Sequence, residues 1–305
     1  MNWWRNLEKR NGCLTLQSTL LILVPKEKGT SQTSKFRPIY LCNVIYKIIL
    51  KVFTNLLKPL LPPLISLEQY GYVEGIQIMD GIILEQEITH SLNISRSPRM
   101  LVKLDPSKSF DNMSWEFLKK MILGFGFCQK WTIWILSLIS SCFFSILVNG
   151  SLSSTFSPSH GLHRGDPLSP FLFILMVKGL GHMLHVILYF FPLRGISLHG
   201  APTQIYQHFF DDILLFGFPS AQESHSLKYI RDTLFEASYT TINLDKSQIY
   251  FFNTDITAQR NIAIILSFLV SSLPFKYLGA ALFDYVVKQF SWRELLDKME
   301  GHIMS

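Results

Sequence analysis

Apolar residues fill long runs of this chain, and their spacing changes character several times along it. Residues 19–25, TLLILVP, form a short continuous apolar run closed by Pro25, which predicts a buried strand, and a polar, basic loop follows. Apolar residues then stand at 44, 45, 48, 49, 52, 53, 56, 57 and 60, the three-and-four spacing of an amphipathic helix, with Pro59 and Pro62-Pro63 as its stop. A second helix is predicted over 77–92, ahead of the loop NISRSP. RMLVKLD, 99–105, reads as a strand running into Asp105, and 115–124 and 130–141 read as helices. PLSPFLFILMVKGLGHMLHVI, 167–187, is a further apolar helix with Pro167 and Pro170 at its start, where a missing N–H costs least. QIYQHFF and ILLFGF are strand-like runs on either side of Asp211 and Asp212. Residues 224–237 read as a helix, and TINLDKSQIYFF and FKYLGAALF as strands.

One stretch admits two readings. Trp131 to Val148 is 18 residues without a charge, enough for a membrane span. Four serines dilute it, and Asn149-Gly150 directly after it is a hairpin-turn signal. The favoured reading is a buried helix to about Ser141, a strand FFSILV, the turn, and a returning strand SLSSTFS; a protein anchored by 131–148 is the alternative. Helices and short strands alternate irregularly, with adjacent hairpins, which predicts an α+β fold around an antiparallel sheet rather than a βαβ repeat.

Composition narrows the class. With 305 residues, 48% of them hydrophobic and 16% charged, the chain has a core large enough for one large domain or two to three lobes, and it lacks the signature of disorder. The net charge of +6 and a pI near 9.0 favour partners carrying phosphate or anionic lipid. Cys13, Cys42, Cys128 and Cys142 are widely spaced in apolar surroundings, as expected of reduced, buried thiols in an intracellular protein of the nucleus or cytoplasm, and they form no zinc pattern. The N-terminal MNWWRNLEKRNG has no apolar core with a cleavage site, so no secretory signal is expected.

HFFDDILLF, 208–216, seats two carboxylates inside an apolar run. A hairpin tip accounts for them by turn geometry alone. KLDPSKSFD, 103–111, supplies a second apolar strand running into Asp105 and Asp111. Two such strands side by side would set Asp105 against Asp211, and like charges that close repel unless a divalent cation lies between them. Oxygen-only ligands point to Mg²⁺ rather than Zn²⁺, in the arrangement that clamps the attacking and departing oxygens of an in-line displacement. HGLHRGDPLSPFLF, 160–173, is either a loop with a capped helix or a phosphate-holding turn flanked by Arg164.

DPSKSFD, GLHRGDPLSPFLF, FFDDILLF, INLDKS and FKYLG occur in the order and spacing of the reverse transcriptase domain of plant LINE-type (non-LTR) retrotransposons. FRPIYLCNVIYKIILKV and ISLEQYGYVEGIQIMD resemble the same family's finger segments, so the resemblance runs from about Ser18 to the last residues. It implies a right-hand polymerase: an N-terminal segment and fingers over 1–100, a palm over 101–285 with 112–160 partly packing on the fingers, and only the start of a thumb over 286–305. It further implies that Asp105 and Asp211 are the main ligands of two Mg²⁺ (or Mn²⁺) ions, with Asp212 the adjacent carboxylate. Phe110 would block a ribose 2′-OH, and Arg164 and Gly165 would line the incoming deoxynucleotide triphosphate. Lys246 would protonate the leaving pyrophosphate, FKYLG would grip the primer, and Arg37 and Lys47 would touch triphosphate or template. RNA template and DNA primer are the implied partners, with no membrane.

The chain departs from that family at several positions. His163 and Arg164 stand where Arg and Gln are usual, Phe210 replaces a small residue, Glu74 and Ile76 replace basic ones, and Leu56 replaces an Arg. Lys178 and Gly179 replace an acidic residue and an alanine, and Tyr239, Thr240 and Thr241 replace a Gly-containing turn. These substitutions, with an expected lack of an upstream endonuclease and a thumb expected to be truncated, lead us to expect a partial or degenerate copy; an active or formerly active polymerase is the first reading, and a catalytically inactive nucleic-acid-binding relic of the same fold the alternative.

Overall fold

A computed structural model describes residues 18–26, 29–32, 35–64, 78–148, 150–191, 193–196, 206–209, 212–238, 240–278 and 280–283. Two sheets organise them. In the first, β1 (Ser18–Pro25) pairs antiparallel with β2 (Phe36–Leu41), from Leu20↔Leu41 to Pro25↔Phe36. On its other side β1 pairs in parallel with β5 (Phe143–Val148), and β5 turns back into the short β6 (Ser151–Leu152). The second sheet runs β11-β10-β3-β8-β7, where β3 is Arg99–Leu104, β7 Tyr206–Phe209, β8 Asp212–Gly217, β10 Gln248–Phe252 and β11 Leu269–Ser271. It is antiparallel except where β11 joins β10.

The side-chain period of a strand explains how β3 comes to lie in the middle. Met100, Val102 and Leu104 face one core, with Ile213, Leu215 and Ile249; Leu101 faces another, with Leu214, Phe216 and Tyr250. Burial on both faces is why Met100, Leu101 and Val102 read as a continuous apolar run rather than an alternation. Helices α6 (Ser169–Phe190), α7 (Ala221–Ser238) and α8 (Ile256–Leu266) cover the first face, through Leu184, Leu227, Ile230 and Ile262. Helix α2 (Ile78–Ile94) and the hairpin β12 (Phe275–Tyr277) to β13 (Ala280–Leu282) cover the second, through Ile88, Leu92, Phe275 and Tyr277.

A third core joins α1 (Val44–Leu57), α4 (Trp115–Gly124), α5 (Gln129–Ser140), β5 and the front half of α6. The Oδ1 of Asn43 caps α1 by accepting from the Ile45 N–H at 2.9 Å, and the Tyr46 hydroxyl donates to the Leu138 carbonyl at 2.7 Å, fastening α1 to α5. Leu50 and Leu57 are wholly buried there, each worth about 2 kcal/mol of transfer free energy.

Several expectations need correction. The apolar stripe of α1 is wider than its buried face: Tyr46, Leu50, Phe53, Thr54 and Leu57 are buried, whereas Val44, Ile45, Ile48, Val52 and Leu56 are exposed. Residues 241–252 are not one strand, because a turn at 244–246 separates β9 (Thr241–Ile242) from β10. The FKYLGAALF segment is a hairpin rather than a single strand. Cys128, expected buried, is exposed at the N-terminal end of α5, while burial pushes the Cys42 and Cys142 thiols up to about 11 and about 12. Helix α8 was not anticipated, although Asp255 announces it: its Oδ1 accepts from the Thr257 and Ala258 N–H groups at 3.0 and 2.9 Å. The two-part reading of 131–148 holds, since α5 ends at Ser140 and β5 starts at Phe143. Among the described residues α6 alone is long and apolar enough to cross a membrane, and 61% of its apolar window is buried in protein.

Candidate active site

Strands β3 and β8 end together. Their pairing runs from Met100↔Gly217 to Leu104↔Ile213, so the next residues along are Asp105 on one strand and Asp212 on the other. Asp211 and Phe210, between the paired residues Phe209 and Asp212, lie outside the described residues, as do Glu74, Ile76 and Tyr239. Burial raises the carboxyl of Asp105; Lys246 pulls it back, Asp212 pushes it further up, and Lys103 pulls it back again.

The INLDKS segment acts as a clamp on Asp105. Strand β9 pairs with β4 (Pro106–Ser107), the Asn243 N–H donates to the Asp105 carbonyl at 2.9 Å, and the Asp105 N–H donates to the Ser247 Oγ at 3.0 Å. The same turn brings Lys246 Nζ to 3.6 Å from Asp105 Oδ2. Sequence reasoning found Lys246 but missed Ser247, a buried serine whose only announcement is its place in the motif.

Lys103 was also missed. It alternates with Val102 and Leu104, so it emerges on the β12–β13 side of the sheet, where Nζ lies 3.2 Å from Asp212 Oδ1 and donates to the Lys276 carbonyl at 2.9 Å. The hairpin that carries FKY is thereby tied to a carboxylate of the candidate site.

The HRGD loop docks on β2. The Tyr40 N–H donates to the Arg164 carbonyl at 2.9 Å, and Gly165 has φ +102, with the Tyr40 carbonyl 3.3 Å from where a Cβ would stand. Arg164 reaches back to Asp111 in the helical turn α3 (Ser109–Asn112), and its guanidinium carbon lies 5.7 Å from the centroid of the Phe110 ring. Phe110 is half-buried against Phe173, with ring centroids 4.8 Å apart. Asp111, paired with Arg164, therefore has a different task from Asp105 six residues earlier.

Asp166 caps α6: its Oδ1 accepts from the Leu168 N–H at 2.8 Å and the Ser169 N–H at 2.6 Å, so this half of the segment is the capped helix that one reading expected. Burial nevertheless pushes Asp166 up to about 6. His163 is buried between the rings of Tyr40 and Phe144, each centroid 5.1 Å away, and burial lowers it to about 4, so it is a neutral core residue at neutral pH.

Positive charge gathers beside the carboxylates. Burial lowers Lys26, and so do the charges of Lys246, Arg164, Arg37 and Lys108, which come from four separate segments of chain. Arg37, exposed on β2, thus belongs to this group. Lys47 is placed on α1, where its charge is felt at the Cys42 thiol. Among the described residues no three acidic, histidine or cysteine side chains gather into a metal-binding group.

The fold resembles solved telomerases. The structure of telomerase from Candida albicans with a TWJ fragment of telomeric RNA superposes with a TM-score of 0.54 at 14% identity, over 92% of this chain and 48% of that one. The corresponding Candida tropicalis structure gives 0.56 at 12% identity, over 90% and 45%. A right-hand polymerase arrangement of mixed α and β structure around antiparallel sheets follows from that likeness. In sequence the chain is 25% identical over 165 residues to the transposon TX1 uncharacterized 149 kDa protein of Xenopus laevis, covering 54% of this chain and 13% of that protein. It is 25% identical over 152 residues to the retrovirus-related Pol polyprotein from type-1 retrotransposable element R2 of Popillia japonica, covering 50% of this chain and 21% of that protein. It spans only a small part of either relative. An uncharacterized mitochondrial protein of Arabidopsis thaliana is 26% identical over 134 residues, 98% of its length. The family model described as reverse transcriptase (RNA-dependent DNA polymerase) matches residues 24–282, the span that holds Asp105, Asp212 and Lys246, and the chain belongs to that family.

Proposed function

We propose that the chain is the fingers and palm, residues 1–100 and 101–285, of the RNA-directed DNA polymerase of a LINE-type (non-LTR) element of plant kind. The observation that carries this reading is the joint end of β3 and β8, which puts Asp105 beside Asp212 with Lys246 3.6 Å from Asp105. Asp105 and Asp212 offer oxygen donors only, and their mutual repulsion is the kind that a hard divalent ion relieves, so the donor set fits Mg²⁺ or Mn²⁺. Asp105, Asp212 and, by the family resemblance, Asp211 would hold two such ions, whose chemistry is to neutralise charge on the attacking and leaving oxygens.

The chain's own residues do the rest. In nucleotidyl transfer the primer 3′ hydroxyl loses its proton to solvent as its oxygen bonds to the α-phosphorus, the bond to pyrophosphate breaks, and the departing oxygen takes a proton. Lys246, exposed and 3.6 Å from Asp105, would give that proton. Lys26, Arg37, Lys108 and Arg164 form a basic wall for the triphosphate, and Phe110 stands beneath Arg164, where a 2′-OH would meet its ring.

A second reading, binding without synthesis by a degenerate copy, is favoured by one observation: Arg164, which replaces the usual Gln, is held by Asp111. Primer extension on an RNA template with Mg²⁺ or Mn²⁺ separates the two. Incorporation above an Asp105→Asn control supports the polymerase; salt-sensitive RNA binding without incorporation supports the relic; no RNA binding at all overturns both.

A further inference from the structure

The opposite end of the second sheet carries another charged feature. Arg99 opens β3, and at about 3.3 Å per residue it lies roughly 20 Å from Asp105. Its guanidinium carbon is 3.8 Å from the Phe218 ring centroid, and that of Arg194 is 4.0 Å from the same centroid. Two cations are thus held on one ring, against mutual repulsion. Burial and Arg194 both lower Arg99, and Glu223 only partly offsets them. Glu223 is the one described carboxylate in ion-pair contact here: Oε1 accepts from Arg194 Nε at 2.7 Å, and Oε2 accepts from the Phe218 N–H at 2.8 Å. One charge of the pair is therefore unmatched among the described residues.

The arginines open onto a space. A cavity of about 230 Å³ is lined by Ser91, Ser95, Arg99, Arg194, Gly195 and Phe218, at the C-terminal end of α2 and the start of β3. A guanidinium has five N–H donors; Arg99 gives one to the Pro98 carbonyl at 3.1 Å, and Arg194 gives one to Glu223. The remaining donors of both forks have no partner among the described residues. Pre-stacking on Phe218 reduces the rotamer freedom each fork would lose on binding, and paired planar forks match a tetrahedral phosphate.

We propose that this cavity is a second phosphate-binding site, taking a backbone phosphate of a nucleic acid strand roughly 20 Å from the catalytic carboxylates. The assignment of the phosphate to nucleic acid rests on the polymerase reading above; an acidic protein segment, which the net charge of +6 attracts as well, is an outcome of the test. A strand engaged at both sites has to be long enough to reach from one to the other, and a very short oligonucleotide reaches only the cleft.

The test is the salt dependence of binding for a 30-nucleotide and a 4-nucleotide single-stranded RNA, measured by fluorescence anisotropy on the full chain and on an Arg99→Gln/Arg194→Gln variant. For the long RNA the slope of log K against log salt should fall by about 0.7–1.4, one to two phosphate contacts, and for the short RNA it should not change. The Arg194→Lys variant keeps the charge and the unmatched cation, so it should keep the slope while binding the long RNA several-fold more weakly; it carries the test if the double variant fails to fold. An unchanged slope and affinity in both variants overturns the site while leaving the polymerase reading intact. Inorganic phosphate bound by the full chain and lost in the variant, with the RNA slope unchanged, reassigns the cavity to free phosphate and overturns the nucleic-acid assignment. Displacement of the long RNA only by a poly-glutamate peptide, in the full chain and not in the double variant, with no slope difference, points to an acidic protein partner and overturns it too. A full chain that binds no RNA sinks this inference and the polymerase reading together.

Discussion

Arg164 donates through Nε and Nη2 to the two carboxylate oxygens of Asp111, at 3.1 and 3.2 Å, and so ties the loop ahead of α6 to the helical turn after β3. Both side chains are about a quarter exposed, so solvent screens the pair and its worth is discounted accordingly. A double-mutant cycle with Arg164→Gln and Asp111→Asn, read by urea unfolding, should give a coupling of about 1 kcal/mol. A coupling indistinguishable from zero would mean that the loop is held without this pair, by backbone contacts such as Tyr40 N–H to the Arg164 carbonyl and Gly161 N–H to the Met113 carbonyl.

Asp105→Asn should remove synthesis and spare the fold. Replacing a carboxylate that stabilises charge in the transition state should cost roughly 10²-fold or more in primer extension. Burial raises the Asp105 carboxyl, so its ionised form is a burden on the folded state, and the melting temperature of the variant at neutral pH should match or exceed that of the parent. A large fall in melting temperature would assign Asp105 a structural role instead.

Phe110→Val should relax sugar choice. The Phe110 ring packs on Phe173 and lies below Arg164, where a ribose 2′-OH would meet it. In an active form, the ratio of ribonucleotide to deoxynucleotide incorporation should rise by about ten-fold or more. Because the readout is a ratio, the modest stability lost with the aromatic contact does not disturb it, and an unaltered ratio would refute the role.

Gly161→Ala should destabilise the site from behind. Gly161 has φ +87, and a Cβ there would run into the Asp111 carbonyl oxygen, a backbone atom with little room to yield. Its N–H donates to the Met113 carbonyl and its carbonyl accepts from Trp115 Nε1, both at 2.8 Å. A loss of roughly 2–3 kcal/mol is expected by thermal unfolding, against little for Ser159→Ala nearby. Equal effects of the two substitutions would show that the close approach carries no energy.

Glu85 sets a pH dependence remote from the site. It is wholly buried in α2 with Ile88 and Leu92, neither carboxyl oxygen has a hydrogen-bond partner among the described residues, and burial pushes it up to about 8. A carboxyl raised in the folded state contributes stability that is fully present below its unfolded value of 4.5 and is lost as pH rises through about 8. Asp166, raised to about 6, runs the same way at lower pH; His163, lowered to about 4, runs the opposite way below 6.5. Between pH 6.5 and 8 Glu85 should therefore dominate these three, with stability falling on the order of 1–2 kcal/mol and Glu85→Gln flattening the profile. Superimposable unfolding curves for parent and variant across that range would contradict it.

Much of the fold could be read from the sequence because the period of burial is local. RMLVKLD read as a strand running into Asp105, FFSILV as a strand leaving the helix before it, and the 167–187 helix showed its start in Pro167 and Pro170 and its core in the seven consecutive apolar residues 171–177. Helix α8 escaped because its large apolar residues crowd its C-terminal end, Ile262, Ile264, Ile265 and Leu266, in a largely β-branched run that shows no helical period, leaving Asp255 as its clearest signal. The apolar stripe of α1 misled for a related reason: pattern reports which residues are apolar, and only packing decides which apolar side meets a core.

The sequence by itself determined the family, the order of the motifs and the carboxylates at the ends of two apolar strands, because residue type and spacing along a chain are enough to specify each of these. Tertiary structure alone decided the partners. Register between β3 and β8 set Asp105 beside Asp212, the turn at 243–247 delivered Lys246 and Ser247 to Asp105, and Lys103 met Asp212 across the strand pair. These are contacts between residues up to 142 positions apart, and electrostatic and hydrogen-bond energies depend on distances in space that no local pattern encodes.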